Sequence, residues 1–202
     1  MGVEPTPADR PGRSSRSRRQ LDNPVGAGGS SDDEISRAAD ERTPVLGSGH
    51  PLADVFMLKW SPRRSEEQEG VAFFGRAGQA ILKSLQRLRV DPMAVYGTNC
   101  LKFVDAEEDD EARAWVRREL HIVQPKLVIV MGEQALALVN ALEFPLAAEL
   151  EQRDGEVQRF TATIGALTTP DVDDSLDEAP NKTAFWNAFK ALGPWWADLP
   201  PY

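Results

Sequence analysis

The stretch that decides the fold runs from Ala53 to Leu88 and reads ADVFMLKWSPRRSEEQEGVAFFGRAGQAILKSLQRL. Its first six residues form an apolar run that is too short for a buried helix and is soon followed by Pro62, so they predict a core strand. After a charged loop, Ile81 and three leucines recur at helical spacing on one face. The stretch therefore predicts a strand, a long loop and a helix. In an α/β sheet such a loop leaves the carboxyl edge of its strand, which is where ligand sites lie.

Later segments repeat this alternation of strand and helix. Strands are predicted at VYGTNCLKF (95–103, ending near Asn99), at KLVIVMG (126–132), and once or twice within EVQRFTATIGALTTP (156–170); helices are predicted at EEDDEARAWVRRELHIVQP (107–125), EQALALVNAL (133–142) and NKTAFWNAFKALGPWW (181–196). Crossovers of this length favour parallel pairing. The expected fold is an α/β, three-layer αβα domain with a central, mainly parallel sheet.

Residues 1–40 differ from the rest of the chain in composition. They are rich in Arg, Ser, Gly and Pro and show no apolar period, so burial cannot offset the entropy of ordering them. We expect a disordered tail over residues 1–40 and a folded domain over residues 41–202. The arginines of the tail indicate either an electrostatic arm for nucleic acid or a solvated tail, and the composition favours the second interpretation.

Composition limits the classes of function. Cys100 is the single cysteine of the 202 residues, which excludes an internal disulfide and any all-cysteine metal site, so neither a metal nor a cofactor is expected. No apolar run approaches the length of a membrane helix, and a cytoplasmic protein is expected. The net charge of −9 argues against a broad surface that holds nucleic acid through phosphate contacts, but it permits a narrow cleft.

Four side chains near the predicted carboxyl edge are candidates for chemistry. Glu66 and Glu67 lie in the loop after the first strand, where one carboxylate could activate a water; the alternative is a solvated loop. Phe73 could offer a ring on which a base stacks; the alternative is a position in the core, which is the expectation for its neighbour Phe74. The amide of Asn99 both donates and accepts, so it could read a pyrimidine edge; the alternative is an asparagine that closes a turn.

The order of several motifs resembles the uracil-DNA glycosylase superfamily, most closely its family-four, iron–sulfur type. The matching pieces are Pro62, Gly70, AFFGRAGQAIL, TNCLK, QPKLVIVMG and a C-terminal helix that carries tryptophan, over about residues 42–196. The resemblance implies that Phe73 stacks on an extruded base and that Asn99 bonds to its edge. It also implies that Gly75 and Gly78 let the backbone come close, and that Pro62 is the residue kept from the first motif.

The chain departs from the family pattern at three places. KWSPR (59–63) stands where the family has G-E-A-P-G, so Trp60 occupies the acidic position. TTPD (168–171) stands where T-x-H-P is expected, so the histidine is missing. The four cluster cysteines are also missing, with Phe103 at one of their positions and Ala112 near another.

These matches and departures lead to two functional hypotheses. The first is a divergent superfamily member with a partly retained nucleobase pocket that is weak or inactive as a glycosylase. The second is an active glycosylase of base excision repair that removes uracil or a related damaged base with Glu66 or Glu67 as a relocated carboxylate. Uracil-containing or single-stranded DNA is the expected partner, with a protein partner as a further expectation. The candidates for DNA-backbone contacts are Arg63, Arg64, Arg76 and Lys102.

Overall fold

The computed structural model of the chain describes residues 1–2 and 43–200, so the predicted tail lies, apart from its first two residues, outside the described part. Within the described residues, a six-stranded sheet has the order β1-β3-β2-β4-β6-β5. The strands are β1 (Ser48–Gly49), β2 (Val55–Lys59), β3 (Val95–Asn99), β4 (Leu127–Met131), β5 (Val157–Arg159) and β6 (Gly165–Thr169).

The four central strands are parallel, and the two edge strands β1 and β5 are antiparallel to their neighbours. Every residue of β2, β3 and β4 is buried, as expected for parallel strands that are covered on both faces. The parallel strands are paired so that their last residues, Lys59, Asn99, Met131 and Thr169, lie side by side. The sheet therefore has one carboxyl edge, to which the following loops add their side chains.

Helices cover both faces of this sheet. They are α1 (Arg64–Glu69), α2 (Arg76–Leu88), α3 (Asp110–Val123), α4 (Glu133–Ala141), α5 (Ala179–Phe189) and α6 (Leu192–Ala197), with 3₁₀ turns at Pro92–Ala94 and Asp174–Leu176. One apolar core packs α3 and α4 against Phe56, Leu58 and Val128. The other packs α2, α5 and α6 against Met57 and Ile129 on the opposite face. The predicted three-layer αβα architecture with a mainly parallel sheet is confirmed.

The long loop predicted after the first strand contains a helix, α1. Its six residues are all polar, so no apolar period marked them in the sequence. The helix forms because the side chain of Glu66 accepts a hydrogen bond from the Arg63 backbone N–H, which stabilises the first turn. It ends at Gly70, whose φ of 69° closes the helix in the left-handed region. None of the helices in the described residues combines the length and apolar character that crossing a membrane requires.

Candidate functional site

The site lies at the carboxyl edge of the sheet, on the face covered by α2. Lys59 and Asn99 end the neighbouring strands β2 and β3 and pair in register. Phe73, in the loop before α2, packs its ring on β3 at Gly97, where an added Cβ would lie 2.7 Å from ring atom Cδ2. Gly97 and Asn99 lie two residues apart on β3, so they face the same side of the sheet. The Phe73 ring over Gly97 is therefore next to the position of the Asn99 side chain. The structure thus brings together the two residues that the sequence proposed for base binding.

The side chain of Asn99 is the unusual feature of this site. It is completely buried, yet neither its amide nitrogen nor its amide oxygen has a hydrogen-bond partner within the described residues. Its backbone carbonyl is bonded, because it accepts from Lys102 Nζ at 2.9 Å. Leaving a buried polar group without a partner costs about 1 to 3 kcal/mol. Such a group in a native fold indicates a ligand or a water that completes it.

Glu66, one of the two catalytic candidates, lies at the centre of a hydrogen-bond network. This carboxylate is buried, and its Oε2 accepts from Lys59 Nζ and from the Arg63 backbone N–H, both at 2.7 Å. Its Oε1 accepts from the backbone N–H of Phe73. Glu66 therefore holds the Phe73 loop in place and is not free to activate a water. Glu67, the other candidate, is partly exposed on α1.

Lys59 is the central residue that the sequence did not single out. It is fully buried, and Nζ donates to the Ser61 carbonyl at 2.7 Å, to Glu66 and to Asp173 Oδ2 at 2.9 Å. Nζ also lies 5.8 Å from the centroid of the Phe73 ring. A lysine directly after an apolar strand, with a glutamate seven residues later, was the available signal. Asp173, 114 residues away, had none.

Lys102, one of the four DNA-backbone candidates, lies in the interior of the protein. Its side chain is fully buried, and Nζ donates to Glu119 at 2.7 Å and to the Thr98 hydroxyl at 2.6 Å. All of these partners lie within the protein, so this ammonium is not exposed at the surface beside the three arginines. The other three candidates, Arg63, Arg64 and Arg76, are exposed along one side of the site.

An apolar groove of about 510 Å³ adjoins the outer side of Phe73. Phe74 lines it and is 47% exposed, so the expectation that this ring lies in the core is wrong. Gly75 and Gly78 also line the groove. A Cβ on Gly78 would lie 1.8 Å from the Phe73 carbonyl oxygen, so this glycine is needed for the close approach of the loop to α2. Pro62 is buried after β2, where it belongs to the turn that leads into α1.

A second, more polar cleft of about 660 Å³ lies beside the ends of β4 and β6. Trp60, which stands at the acidic position of the family pattern, lines this cleft. Asp171, from the TTPD segment that lacks the expected histidine, lines it as well. Asp171 Oδ1 accepts from the backbone N–H groups of Asp173 at 2.8 Å and Asp174 at 3.2 Å. Burial raises the pKa of the Asp171 carboxyl above its ordinary value, although these two N–H groups oppose the shift.

The donors of the chain do not fit the four-thiolate cluster of the iron–sulfur type. Cys100 is the single cysteine, it is completely buried, and burial raises the pKa of its thiol. Phe103, at the position of one expected ligand, packs edge-on against Trp115 with ring centroids 6.1 Å apart. In the part of the chain that the structure describes, no group of three or more His, Cys, Asp or Glu side chains could hold a metal ion.

The chain is similar in sequence to a known protein family. The family model of the uracil DNA glycosylase superfamily matches residues 46–191. The type-4 uracil-DNA glycosylase of Archaeoglobus fulgidus is 25% identical over 133 residues, which cover 61% of this chain and 67% of that protein. The enzymes of the same name from Sulfurisphaera tokodaii and Pyrobaculum aerophilum are 27% identical over 99 residues and 28% identical over 95 residues. These two matches span 45% and 48% of the relatives' own lengths.

Proposed function

The chain belongs to the uracil DNA glycosylase superfamily, and from this membership we propose that it binds an unpaired pyrimidine base, with uracil as the first choice, in single-stranded DNA. We further propose that it releases that base slowly or not at all. The first part concerns recognition by Phe73 and Asn99, and the second concerns the groups that would carry out hydrolysis.

The observation that carries the proposal is the unpartnered amide of Asn99. A pyrimidine such as uracil presents a carbonyl acceptor beside an N–H donor, and a single side-chain amide complements that pair. The buried amide next to Phe73 offers both groups, with no competing protein partner within the described residues. Because the protein already bears the cost of burying this amide, a base that completes its hydrogen bonds gains most of their strength.

Phe73 supplies the second contact in this proposal. Its ring is partly buried and is held by two constraints, the backbone bond from its N–H to Glu66 and the packing on Gly97. A fixed ring gives a base a stacking surface worth about 1 to 3 kcal/mol, and stacking alone does not distinguish one base from another. We therefore assign affinity to Phe73 and base preference to Asn99.

The groups around the site support slow hydrolysis. Trp60 stands at the acidic position of the family pattern, both oxygens of Glu66 are engaged, and all three N–H groups of Lys59 are used. Pro170 stands where the pattern has a histidine, and the carboxylate of the next residue, Asp171, would repel the anionic base that leaves. Loss of one preorganised donor typically lowers a rate by about 10² to 10³.

One observation favours the second candidate, an active glycosylase. Asp171 has a raised pKa, lies at the end of β6 and lines the polar cleft, and these are features of a general base. Asp171, or Glu67 as the remaining relocated carboxylate on α1, would then activate the attacking water in place of Glu66. This alternative predicts that uracil release depends on one of these two carboxylates.

Binding to a labelled single-stranded oligonucleotide that contains one deoxyuridine tests the proposal, with fluorescence anisotropy as the measurement. Phe73→Ala and Asn99→Ala should each weaken binding by about 5- to 150-fold, the equivalent of about 1 to 3 kcal/mol. Asn187→Ala, at an exposed asparagine of α5, is the matched control and should leave binding unchanged. If neither Phe73→Ala nor Asn99→Ala changes binding, the proposed base pocket is refuted.

Turnover is measured on the same oligonucleotide by alkaline cleavage at abasic sites. We expect little or no cleavage over background. Robust uracil release that Asp171→Asn or Glu67→Gln abolishes would establish the active glycosylase instead, and it would leave the assignment of Phe73 and Asn99 intact.

A further inference from the structure

The segment between β6 and α5, residues Asp171–Glu178, is here called the acidic strap. Its carboxylates contact three cations in the stretch that runs from the last residue of β2 to the first residue of α2. Asp173 Oδ2 lies 2.9 Å from Lys59 Nζ and 3.4 Å from Arg63 Nε. Arg63 also reaches Asp174 Oδ1 at 2.9 Å. The outermost contact, from Arg76 to Asp177 Oδ1, is 2.9 Å.

The strap is fixed by its own contacts, so its carboxylates do not reach the cations by chance. Val172 is completely buried in the core beneath α5, and Leu176 packs against the same core. The Ser175 hydroxyl donates to the Asp171 carbonyl, while Asp171 Oδ1 accepts from two backbone N–H groups of the strap. A side chain held on such a rigid backbone loses little entropy when it pairs.

The ion pairs fall into two classes by exposure. The inner pair is buried, with Lys59 0% and Asp173 11% exposed. The outer pairs are open to solvent, because Arg63 and Asp174 are 56% and 79% exposed, and Arg76 and Asp177 are both 71% exposed. Exposed ion pairs contribute only about 0 to 1 kcal/mol, so another anion can replace their carboxylates, whereas the buried pair is permanent.

We propose that Arg63 and Arg76 form a phosphodiester-binding pair for the strand on either side of the bound base, and that Asp174 and Asp177 occupy this pair in the free protein. This inference rests on the proposed function, since it concerns the strand that carries the base. A guanidinium donates hydrogen bonds to phosphate oxygens in the same geometry as to carboxylate oxygens, so the two anions compete for one position.

The competition has a consequence for selectivity. When phosphates of the DNA strand bind Arg63 and Arg76, they displace Asp174 and Asp177. The contact with the DNA backbone therefore contributes little net binding free energy. A strand without a suitable base gains nothing further, while one whose base reaches Phe73 and Asn99 gains stacking and hydrogen bonds. The strap thus lowers non-specific affinity for nucleic acid, in keeping with the net charge of −9.

The double variant Asp174→Asn/Asp177→Asn tests this, because it removes both outer carboxylates and keeps the inner pair. It should bind a single-stranded oligonucleotide without uracil about 2- to 30-fold more tightly than the unmodified protein. The dependence of log K on log salt should steepen by about 1.4, since two phosphate contacts of about 0.7 each no longer exchange for a carboxylate. Adding Arg63→Gln/Arg76→Gln should abolish the gain.

The matched control is Glu108→Gln/Asp110→Asn, which removes two carboxylates from Arg113 at the start of α3, on the other face of the sheet. If this control binds the oligonucleotide without uracil more tightly to the same extent, the effect is one of net charge alone, and the proposed role of the acidic strap is refuted. The role of the acidic strap is also refuted if Asp174→Asn/Asp177→Asn does not bind more tightly. The proposed function still stands in that case, provided that Phe73→Ala and Asn99→Ala weaken binding of the deoxyuridine strand. If no variant binds either strand, both proposals fail.

Discussion

Two buried lysine–glutamate pairs flank Asn99, and they serve different purposes. Lys59–Glu66 and Lys102–Glu119 have the same length, 2.7 Å, and in each the lysine is 0% and the glutamate 1% exposed. Yet the first, with Asp173, joins β2 to α1 and to the acidic strap at the carboxyl edge, whereas the second joins the segment after β3 to α3 on the opposite face of the sheet.

The two pairs differ in the number of charged groups that surround them. Glu119 accepts from Lys102 and from the hydroxyls of Tyr96 and Thr98, so one cation meets one anion among neutral groups. Lys59 meets two carboxylates, Glu66 and Asp173. The second carboxylate, Asp173, also contacts the exposed Arg63 at 3.4 Å, so the Lys59 cluster extends from the interior to the solvent edge of the site, whereas the Lys102 pair is enclosed. We infer that Lys102–Glu119 serves the fold and that Lys59–Glu66 serves the site.

The largest effect is expected from Lys102→Met. It leaves the Glu119 carboxylate buried without a counter-charge, which should lower the free energy of unfolding by about 3 to 5 kcal/mol. Urea denaturation monitored by circular dichroism measures this loss. The double variant Lys102→Met/Glu119→Leu should recover most of it, because no charge then remains buried. A loss below about 1 kcal/mol for Lys102→Met would show that this pair does not stabilise the fold.

Lys59→Met should lower the free energy of unfolding by less, about 2 to 3 kcal/mol, although it removes the ammonium partner of two carboxylates. Asp173 lies at the edge of the site, and Arg63 Nε, at 3.4 Å, remains as a partner for it. The same urea titration compares both lysine variants. Because Glu66 also holds the Phe73 N–H, Lys59→Met should weaken deoxyuridine binding as well. A larger stability loss for Lys59→Met than for Lys102→Met would reverse our assignment of the two pairs.

Sequence predicted the sheet well because its strands are continuous apolar runs, and burial of such runs does not depend on distant partners. It placed Phe73 and Asn99 in one site because parallel strands share a carboxyl edge. It could not distinguish Lys59 and Lys102 from surface lysines, since burial of a charge is decided by partners up to 114 residues away. Nor could it predict that Phe74 is exposed, because the direction of the chain there follows from the positive φ of Phe73, 60°, in the loop that Glu66 holds.

Asn99→Ala should change stability by less than about 1 kcal/mol, in contrast to both lysine variants. The lost packing of the side chain is offset by removal of an amide that has no partner within the described residues. Thermal unfolding of the variant, beside its weakened oligonucleotide binding, would show a residue kept for a ligand. A loss above about 2 kcal/mol would mean that the amide is bonded in the free protein, for example by a water.

The smallest effect is expected from Asp171→Asn, which tests how much anionic charge the site tolerates. Burial raises the pKa of the Asp171 carboxyl above its ordinary 3.8, so the native state binds this proton more tightly than the unfolded state. Stability contributed by the protonated acid is therefore present below about pH 4 and is lost as pH rises through the native pKa.

Asparagine keeps the oxygen that accepts from the Asp173 and Asp174 backbone N–H groups, but it carries no charge. The variant should thus be more stable than the unmodified protein at pH 7, by less than about 1 kcal/mol, and the difference should vanish as pH falls below about 4. Urea titrations from pH 3.5 to 8 measure this. A variant less stable at pH 7 would mean that nearby cations stabilise the Asp171 carboxylate, and the surplus of negative charge would then lie elsewhere in the acidic strap.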